Sequence, residues 1–269
     1  MTLSVLTLNI ANPSPERAQR QLAWLADRVE NVLVLTETKA SQGCTLLADA
    51  FRAAGYAVFD PQPAQGEYGV MIIARVQAEP DHLTKALGYL PARAASCLLP
   101  IPDGQLRVVG LYVPSRDASA EKTERKRRWL AEFGNVLADT NEDHPMVLTG
   151  DLNVLEPDHR PRYRFFADFE YGFYRSLSAR HGLVDAYRHR HPDAAEHSWV
   201  GRTGDGYRYD HAFCSSTIAD RLTGCGYDHT PRIEKLSDHS ALTMRLDLTA
   251  PTELPITNPA TTTAEPTLF

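Results

Sequence analysis

Four acidic stretches stand at or just past apolar, strand-like runs: Leu-Thr-Glu-Thr-Lys around Glu37, Thr-Gly-Asp-Leu-Asn around Asp151 and Asn153, Tyr-Arg-Tyr-Asp-His around Asp210, and Leu-Ser-Asp-His-Ser around Asp238 and His239. A carboxylate at the end of a buried strand contributes little to stability, because burial disfavours its charge. It sits where a sheet ends and a ligand or water begins. Four such acids, with two histidines and an Asn, form an oxygen-rich set suited to a hard cation and a phosphate. Oxygen donors select magnesium, manganese or calcium over zinc. Phosphodiester cleavage needs an in-line water, charge stabilisation on the phosphate oxygens and help for the leaving oxygen. These residue types can supply all of that.

The elements that must position them follow from the apolar periodicity. Strands are expected at 3–10, 32–35, 56–60, 70–74, 96–101, 106–113, 146–149, 209–214 and 242–248. Ser14-Pro15 opens a helix with Pro at its first position, and Ala18, Leu22, Leu25 and Val29 make its apolar stripe. A second helix covers 45–54 and stops at Gly55; a third covers 120–139 with Trp129, Leu130, Phe133 and Leu137 on one face; 165–180 is helical in pattern. Strands with helices set between some of them predict a layered α/β fold. One domain is expected over residues 1–249, followed by a disordered Pro/Thr/Asn/Ala-rich tail at 250–269.

Composition narrows the function classes. The net charge of −6 excludes a whole-surface nucleic-acid footprint, so a polyanion would need a local patch and a metal. Cys44, Cys97, Cys214 and Cys225 form no Cys-x-x-Cys pair and no zinc spacing, which predicts reduced thiols in a cytoplasmic protein. No apolar run is long enough to span a membrane, and the start reads as a first strand without a basic leader.

Taken in order, Asn9-Ile10, Glu37-Thr38-Lys39, Glu67-Tyr68-Gly69-Val70, Tyr112-Val113-Pro114, Gly150-Asp151-Leu152-Asn153, Leu183-Val184-Asp185-Ala186-Tyr187-Arg188, Ser198-Trp199, Arg208-Tyr209-Asp210 and Ser237-Asp238-His239 resemble the endonuclease/exonuclease/phosphatase superfamily, exonuclease III and AP endonuclease branch. The resemblance spans about residues 2–248. It implies a four-layer α/β sandwich, two mixed sheets flanked by helices, with the site at one end. It implies a Mg2+- or Mn2+-dependent phosphodiesterase on DNA, cutting at abasic sites or trimming 3′ ends. It assigns Glu37 and Asn9 to the metal, with Asp238 acting through water. Asp151 orients or deprotonates the attacking water, helped by Asn153; Asp210 holds His239, as base or phosphate clamp; Tyr112 donates to a phosphate oxygen.

Substrate contacts are expected from Trp199 and Tyr207, where the branch builds a pocket for an abasic sugar, and from Arg160, Arg162 and Arg164 beside Tyr163. The stretch after Asn153 is shorter than in relatives. Ala11 stands where members carry Asp or Asn, and the following Gly-Leu-Arg group is missing, so Arg17 or Arg20 would have to replace its phosphate grip. The run Lys122–Arg128 is read as a solvated face. The ending Glu265-Pro-Thr-Leu268-Phe269 is similar to peptides that dock sliding clamps. The chain is expected to act as a monomer. Two rival readings stay open: a phosphatase or phosphodiesterase for RNA or a small phosphoester, and a nucleic-acid-binding member with weak catalysis.

Overall fold

The computed structural model describes residues 2–139, 144–160, 163 and 165–262. In chain order the strands are β1 (Thr2–Asn9), β2 (Val32–Thr38), β3 (Ala57–Phe59), β4 (Gly69–Ala74), β5 (Glu79–Pro80), β6 (Ala94–Ile101), β7 (Gly104–Tyr112), β8 (Met146–Asp151), β9 (Leu183–Asp185), β10 (Trp199–Val200), β11 (Gly206–Tyr207), β12 (Asp210–Ser215), β13 (Leu222–Asp228) and β14 (Ala241–Thr249). The helices are α1 (Pro15–Ala26), α2 (Gln42–Ala53), α3 (Ala120–Asp139), α4 (Asp168–Ala179), α5 (Ala186–Arg190) and α6 (Thr230–Ile233).

Two six-stranded sheets pack face to face, in the orders β13-β14-β1-β2-β4-β3 and β5-β6-β7-β8-β12-β9. Near-continuous apolar runs in β1, β2, β4 and β8 reflect burial on both faces. One face of each looks into the core between the sheets, where Val5, Val34, Val70 and Ile72 meet Cys97, Val108 and Val147. On the outer face of the first sheet, Leu6, Leu8, Leu33 and Leu35 cover Leu22, Leu25, Leu47 and Phe51 of α1 and α2. On the second sheet, Val109, Leu111, Leu148 and Phe213 cover Trp129, Phe133, Phe173 and Leu177 of α3 and α4. Four layers result, as expected. Gly110 sets the close approach of the sheets: a Cβ there would lie 2.6 Å from a Val34 methyl and 2.8 Å from one of Val70.

The differences from expectation have local causes. Val29 lies past the end of α1 and is exposed, because the helix stops at Ala26 with Asp27 as its cap. The short or Gly-rich strands β9, β10, β11 and β13 carry little apolar signal and pair because neighbouring strands hold them. The expectation of a disordered tail from residue 250 does not hold for 250–262. There the Gln77 and Leu254 amides bond to Thr252 and Arg75, Thr257 donates to Ala54, and Pro251 and Pro259 are buried. Backbone pairing with the end of β4 and with α2 holds a stretch whose composition alone predicts no order. Leu268 and Phe269 lie outside the described residues. No described helix is long and apolar enough to cross a membrane.

Candidate active site

The register of the second sheet assembles half the site. Tyr112 on β7 pairs with Asp151 on β8, and Asp151 pairs with Asp210 on β12. Directly opposite residues share a face, so three polar side chains line up at one end of the sheet. Two like charges so placed destabilise a sheet. Gly150 precedes Asp151 at φ 141°, where a Cβ would meet the Leu111 carbonyl oxygen at 2.1 Å. Asn153 turns the chain out of β8 in the left-handed region, at φ 47°.

The first sheet brings the partners. Asn9 ends β1, and its neighbour strand β2 bulges between Thr36 and Thr38. The extra residue in that bulge is Glu37, at φ 61°. A non-glycine residue in the left-handed region costs about 1–2 kcal/mol. The bulge re-aims the carboxylate out of the strand alternation, a use of local strain that recurs at functional sites. His239 arrives just before β14. Its backbone pairs with Trp199, and its amide donates to Ser237 Oγ, which itself donates to the Asn9 carbonyl at 2.5 Å.

The side chains converge. Asn9 Nδ2 lies 3.0 Å from Glu37 Oε2, 2.9 Å from Asp151 Oδ2 and 3.5 Å from His239 Nε2. His239 Nδ1 lies 2.7 Å from Asp210 Oδ2. Asp151 Oδ1 accepts the Asn153 amide at 2.8 Å. Asp151, Asp210 and His239 are buried and bring their ligand atoms within 4.8 Å of one another.

Burial, then the Asp210 charge, push the Asp151 carboxyl up to about 7, against the pull of His239 and the hydrogen bonds from Asn153 and Asn9. Burial opposes charge on His239, but the Asp210 carboxylate outweighs it, and with Asp151 and Asp238 lifts the imidazole to about 10. Burial, then Glu37 and Asp151, raise the Tyr112 phenol far above its usual range, so it stays protonated. Both groups are pushed up, but the carboxyl titrates below the imidazole, so the pair can hold a carboxylate beside an imidazolium.

Several sequence expectations change in detail. Asn9 does not turn an oxygen to the cluster: its Oδ1 accepts the Ala11 amide at 2.8 Å, so its amide nitrogen faces both carboxylates. Asn9 is therefore a donor that spaces the acids, and a cation would be left to the carboxylates. Arg17 does not replace the missing phosphate grip. Its guanidinium donates to the carbonyls of Ala11 and Asn12, at 2.5 and 3.3 Å, and stabilises their two left-handed residues. Arg20 donates to the Glu234 carbonyl at 2.6 Å. Asp238 is exposed and accepts the Trp199 indole N–H at 3.0 Å. Arg160 is exposed on the chain that follows Asn153, and Arg162 and Arg164 lie outside the described residues.

Trp199 and Tyr207 join a larger aromatic group. Tyr207 stacks on Tyr209 at 5.3 Å and on Tyr163 at 4.6 Å, with Trp199 tilted 5.6 Å away. A cavity of about 1080 Å³ lies beside this group, lined by Glu156, His159, Arg160, Arg188 and His197 among others, and it includes none of the four convergent residues. The geometry of charges, not this concavity, marks the site.

Sequence reading missed two supports. Lys126 is buried and donates to the Asn153 carbonyl at 2.6 Å and to Glu170 Oε1 at 2.7 Å. The solvated-face reading of Lys122–Arg128 therefore fails at this residue. A signal was present: Lys126 lies three, four and seven residues before Trp129, Leu130 and Phe133, on the apolar stripe. Arg93 is also buried, lies over the Tyr112 ring at 4.9 Å and donates to the Tyr112 carbonyl.

The donor set fits a divalent cation. Asp151 and Asp210 are buried side by side with one imidazole beside them, Asp210 Oδ1 has no hydrogen-bond partner among the described residues, and Glu37 is near. Carboxylate oxygens in excess of local positive charge match a hard dication.

Residues 6–239 match the Endonuclease/Exonuclease/phosphatase family. An exodeoxyribonuclease of Streptococcus pneumoniae is 30% identical over 146 residues, 46% of this chain, and the chain spans about half that relative's length, 53%. The structure of an AP endonuclease from Archaeoglobus fulgidus is similar with a TM-score of 0.74 and 25% identity, over 91% of this chain and 99% of that one. A 3′-5′ exonuclease from Neisseria meningitidis gives 0.74 and 25%, over 91% of this chain and 100% of that one. From its layers, its convergent acids and the span of the match, the chain belongs to the endonuclease/exonuclease/phosphatase family, on the exonuclease III and AP endonuclease side.

Proposed function

We propose that the chain is a divalent-cation-dependent DNA phosphodiesterase of the exonuclease III type, acting at abasic sites or 3′ ends in repair. The observation that carries this is the convergence of Glu37, Asp151, Asp210 and His239 from both sheets within one hydrogen-bonded group, with Asn9 bridging Glu37 and Asp151. The names of the relatives and of the similar structures support DNA as the substrate.

In this reading Glu37, with Asp151 near it, holds Mg2+ or Mn2+; Asp238 acts at longer range through water. The bound ion supplies charge neutralisation for the phosphate oxygens. Asp151, its carboxyl pushed up by burial and by Asp210, takes a proton from the attacking water. Asn153 and Asn9 fix the orientation of that carboxylate. His239 is protonated, and its Nε2 faces the scissile phosphate as a charged donor while Asp210 fixes Nδ1. The clamp role is favoured over the base role by that protonation. Tyr112 is a phenol donor toward the same phosphate. Arg160, Arg162 and Arg164 are proposed to contact the strand, and Trp199 and Tyr207 to face the sugar at the lesion. We place the enzyme, as a monomer, in the cytoplasm, where its four buried free cysteines stay reduced. Docking of Leu268-Phe269 to a sliding clamp remains part of the proposal.

The test compares three substrates with Mg2+: a duplex carrying one abasic analogue, an undamaged duplex with a 3′ end, and a generic phosphomonoester. Cleavage of either duplex well above the monoester is expected. Turnover of the monoester alone moves the reading to a small phosphoester enzyme, and tight duplex binding without turnover in Mg2+ or Mn2+ moves it to a binding protein.

A further inference from the structure

The loop that follows the Asp151 turn brings Tyr163 onto the aromatic group of Trp199, Tyr207 and Tyr209. Tyr163 stacks on Tyr207 with centroids 4.6 Å apart and planes 28° from parallel, and Tyr207 stacks on Tyr209 at 5.3 Å and 11°. His159 flanks Tyr163 at 5.4 Å. The inner rung is tied to the chemistry: Tyr209 precedes Asp210, and both of their amides donate to Ser198 Oγ at 3.0 Å. Tyr207 is the middle rung, covered by the other two tyrosines. Tyr163 is the outer rung. It is partly exposed, and among the described residues its stacked neighbours are Tyr207 and His159.

An aromatic ring with one face on a stack and part of its surface in water is a platform for another flat ring. Base–aromatic stacking contributes about 1–3 kcal/mol per base and tolerates any base, because every base has a π-face. Arg160, exposed three residues earlier, can meet the adjoining backbone phosphate. Taking the nuclease reading as given, we infer that Tyr163 is a stacking platform for the nucleobase of an unpaired nucleotide on the cleaved strand. The alternative role for Tyr163, apolar closure of the loop over Leu155 and Phe166, needs volume and no π-face.

That difference sets the experiment. A duplex with an unpaired 3′-terminal 2-aminopurine is titrated with full-length protein, with Ca2+ in place of Mg2+ to slow turnover. Wild type and Tyr163→Phe should quench the 2-aminopurine emission on binding; Tyr163→Leu should bind with little quenching. With Mg2+, Tyr163→Leu should raise KM for the base-bearing end by about 10-fold, with kcat kept and KM for an abasic 3′ end unchanged. Wild-type protein that cleaves the duplex without quenching the probe overturns the platform and leaves the nuclease reading intact. So does equal behaviour of the Leu and Phe variants. Wild-type protein that neither binds nor cleaves any duplex overturns both.

Discussion

The chemistry at residue scale reduces to one carboxyl made basic and one imidazole kept charged. Asp151 is pushed up to about 7 by burial and by Asp210, and His239 up to about 10 by Asp210 against the cost of burial. The two directions fix the sign of the pH dependence. The rate constant kcat should rise as pH rises through the Asp151 value and fall as pH passes about 10, where His239 loses its proton. A bound divalent cation lowers a neighbouring carboxyl, so raising Mg2+ should move the acid limb to lower pH. A steady-state pH profile at two Mg2+ concentrations checks this; an acid limb that ignores the metal contradicts it. For stability, His239 binds its proton more tightly when folded. Its contribution is full below about 6.5 and lost as pH rises through about 10. Asn9→Ala removes the donor shared by Glu37 and Asp151, and kcat should fall by roughly 10-fold or more with the acid limb shifted upward.

At the scale of elements, β8 and the chain leaving it are held by α3 and α4. Lys126 on α3 bonds both the Asn153 carbonyl and Glu170 on α4, and Glu170 also receives Arg116 at 2.7 Å. Lys126→Met should cost roughly 3 kcal/mol, because it leaves a buried carboxylate short of a partner. It should also lower kcat through Asn153. Adding Glu170→Leu should restore part of the melting temperature without restoring kcat, since the Asn153 contact stays lost; full recovery of kcat would contradict the positioning role. This support also marks the limit of what the sequence discloses. Strands β1, β2, β4 and β8 and helix α3 were legible because their periodicity is strong. The site residues Glu37, Asp151, Asp210 and His239 were legible because acids at strand ends have no stabilising purpose. The bulge at Glu37, the donor role of Asn9 and the Tyr163–Tyr207 stack depend on contacts between residues far apart in the chain. Local pattern carries no trace of them. Lys126 is intermediate: its place on the apolar stripe was visible, but its partner was not.

On the scale of the whole molecule, catalytic groups gather at one end of the sandwich while residues 250–262 close the other. These residues bond to Arg75 and Gln77 beyond the far end of β4 and to Ala54 after α2, whereas Gly69 at the near end pairs beside Glu37. Truncation after Thr249 should lower the melting temperature by roughly 5 °C, for about 2 kcal/mol lost, and leave kcat and KM unchanged. Loss of activity without loss of stability would contradict that separation. The division fits a fold in which the sheets provide rigidity and the strand ends provide chemistry. The account as a whole stands on Asp151 acting within a metal-assisted centre that breaks a DNA phosphodiester. Its most direct test is Mg2+-dependent scission of one end-labelled abasic duplex by wild type and by Asp151→Asn, with both proteins shown to be folded by circular dichroism. The account predicts scission by the wild type, abolished by chelator, and a rate lower by about 10²-fold or more in the variant. Equal rates for the two proteins, or scission by the wild type that persists in excess chelator, would contradict it.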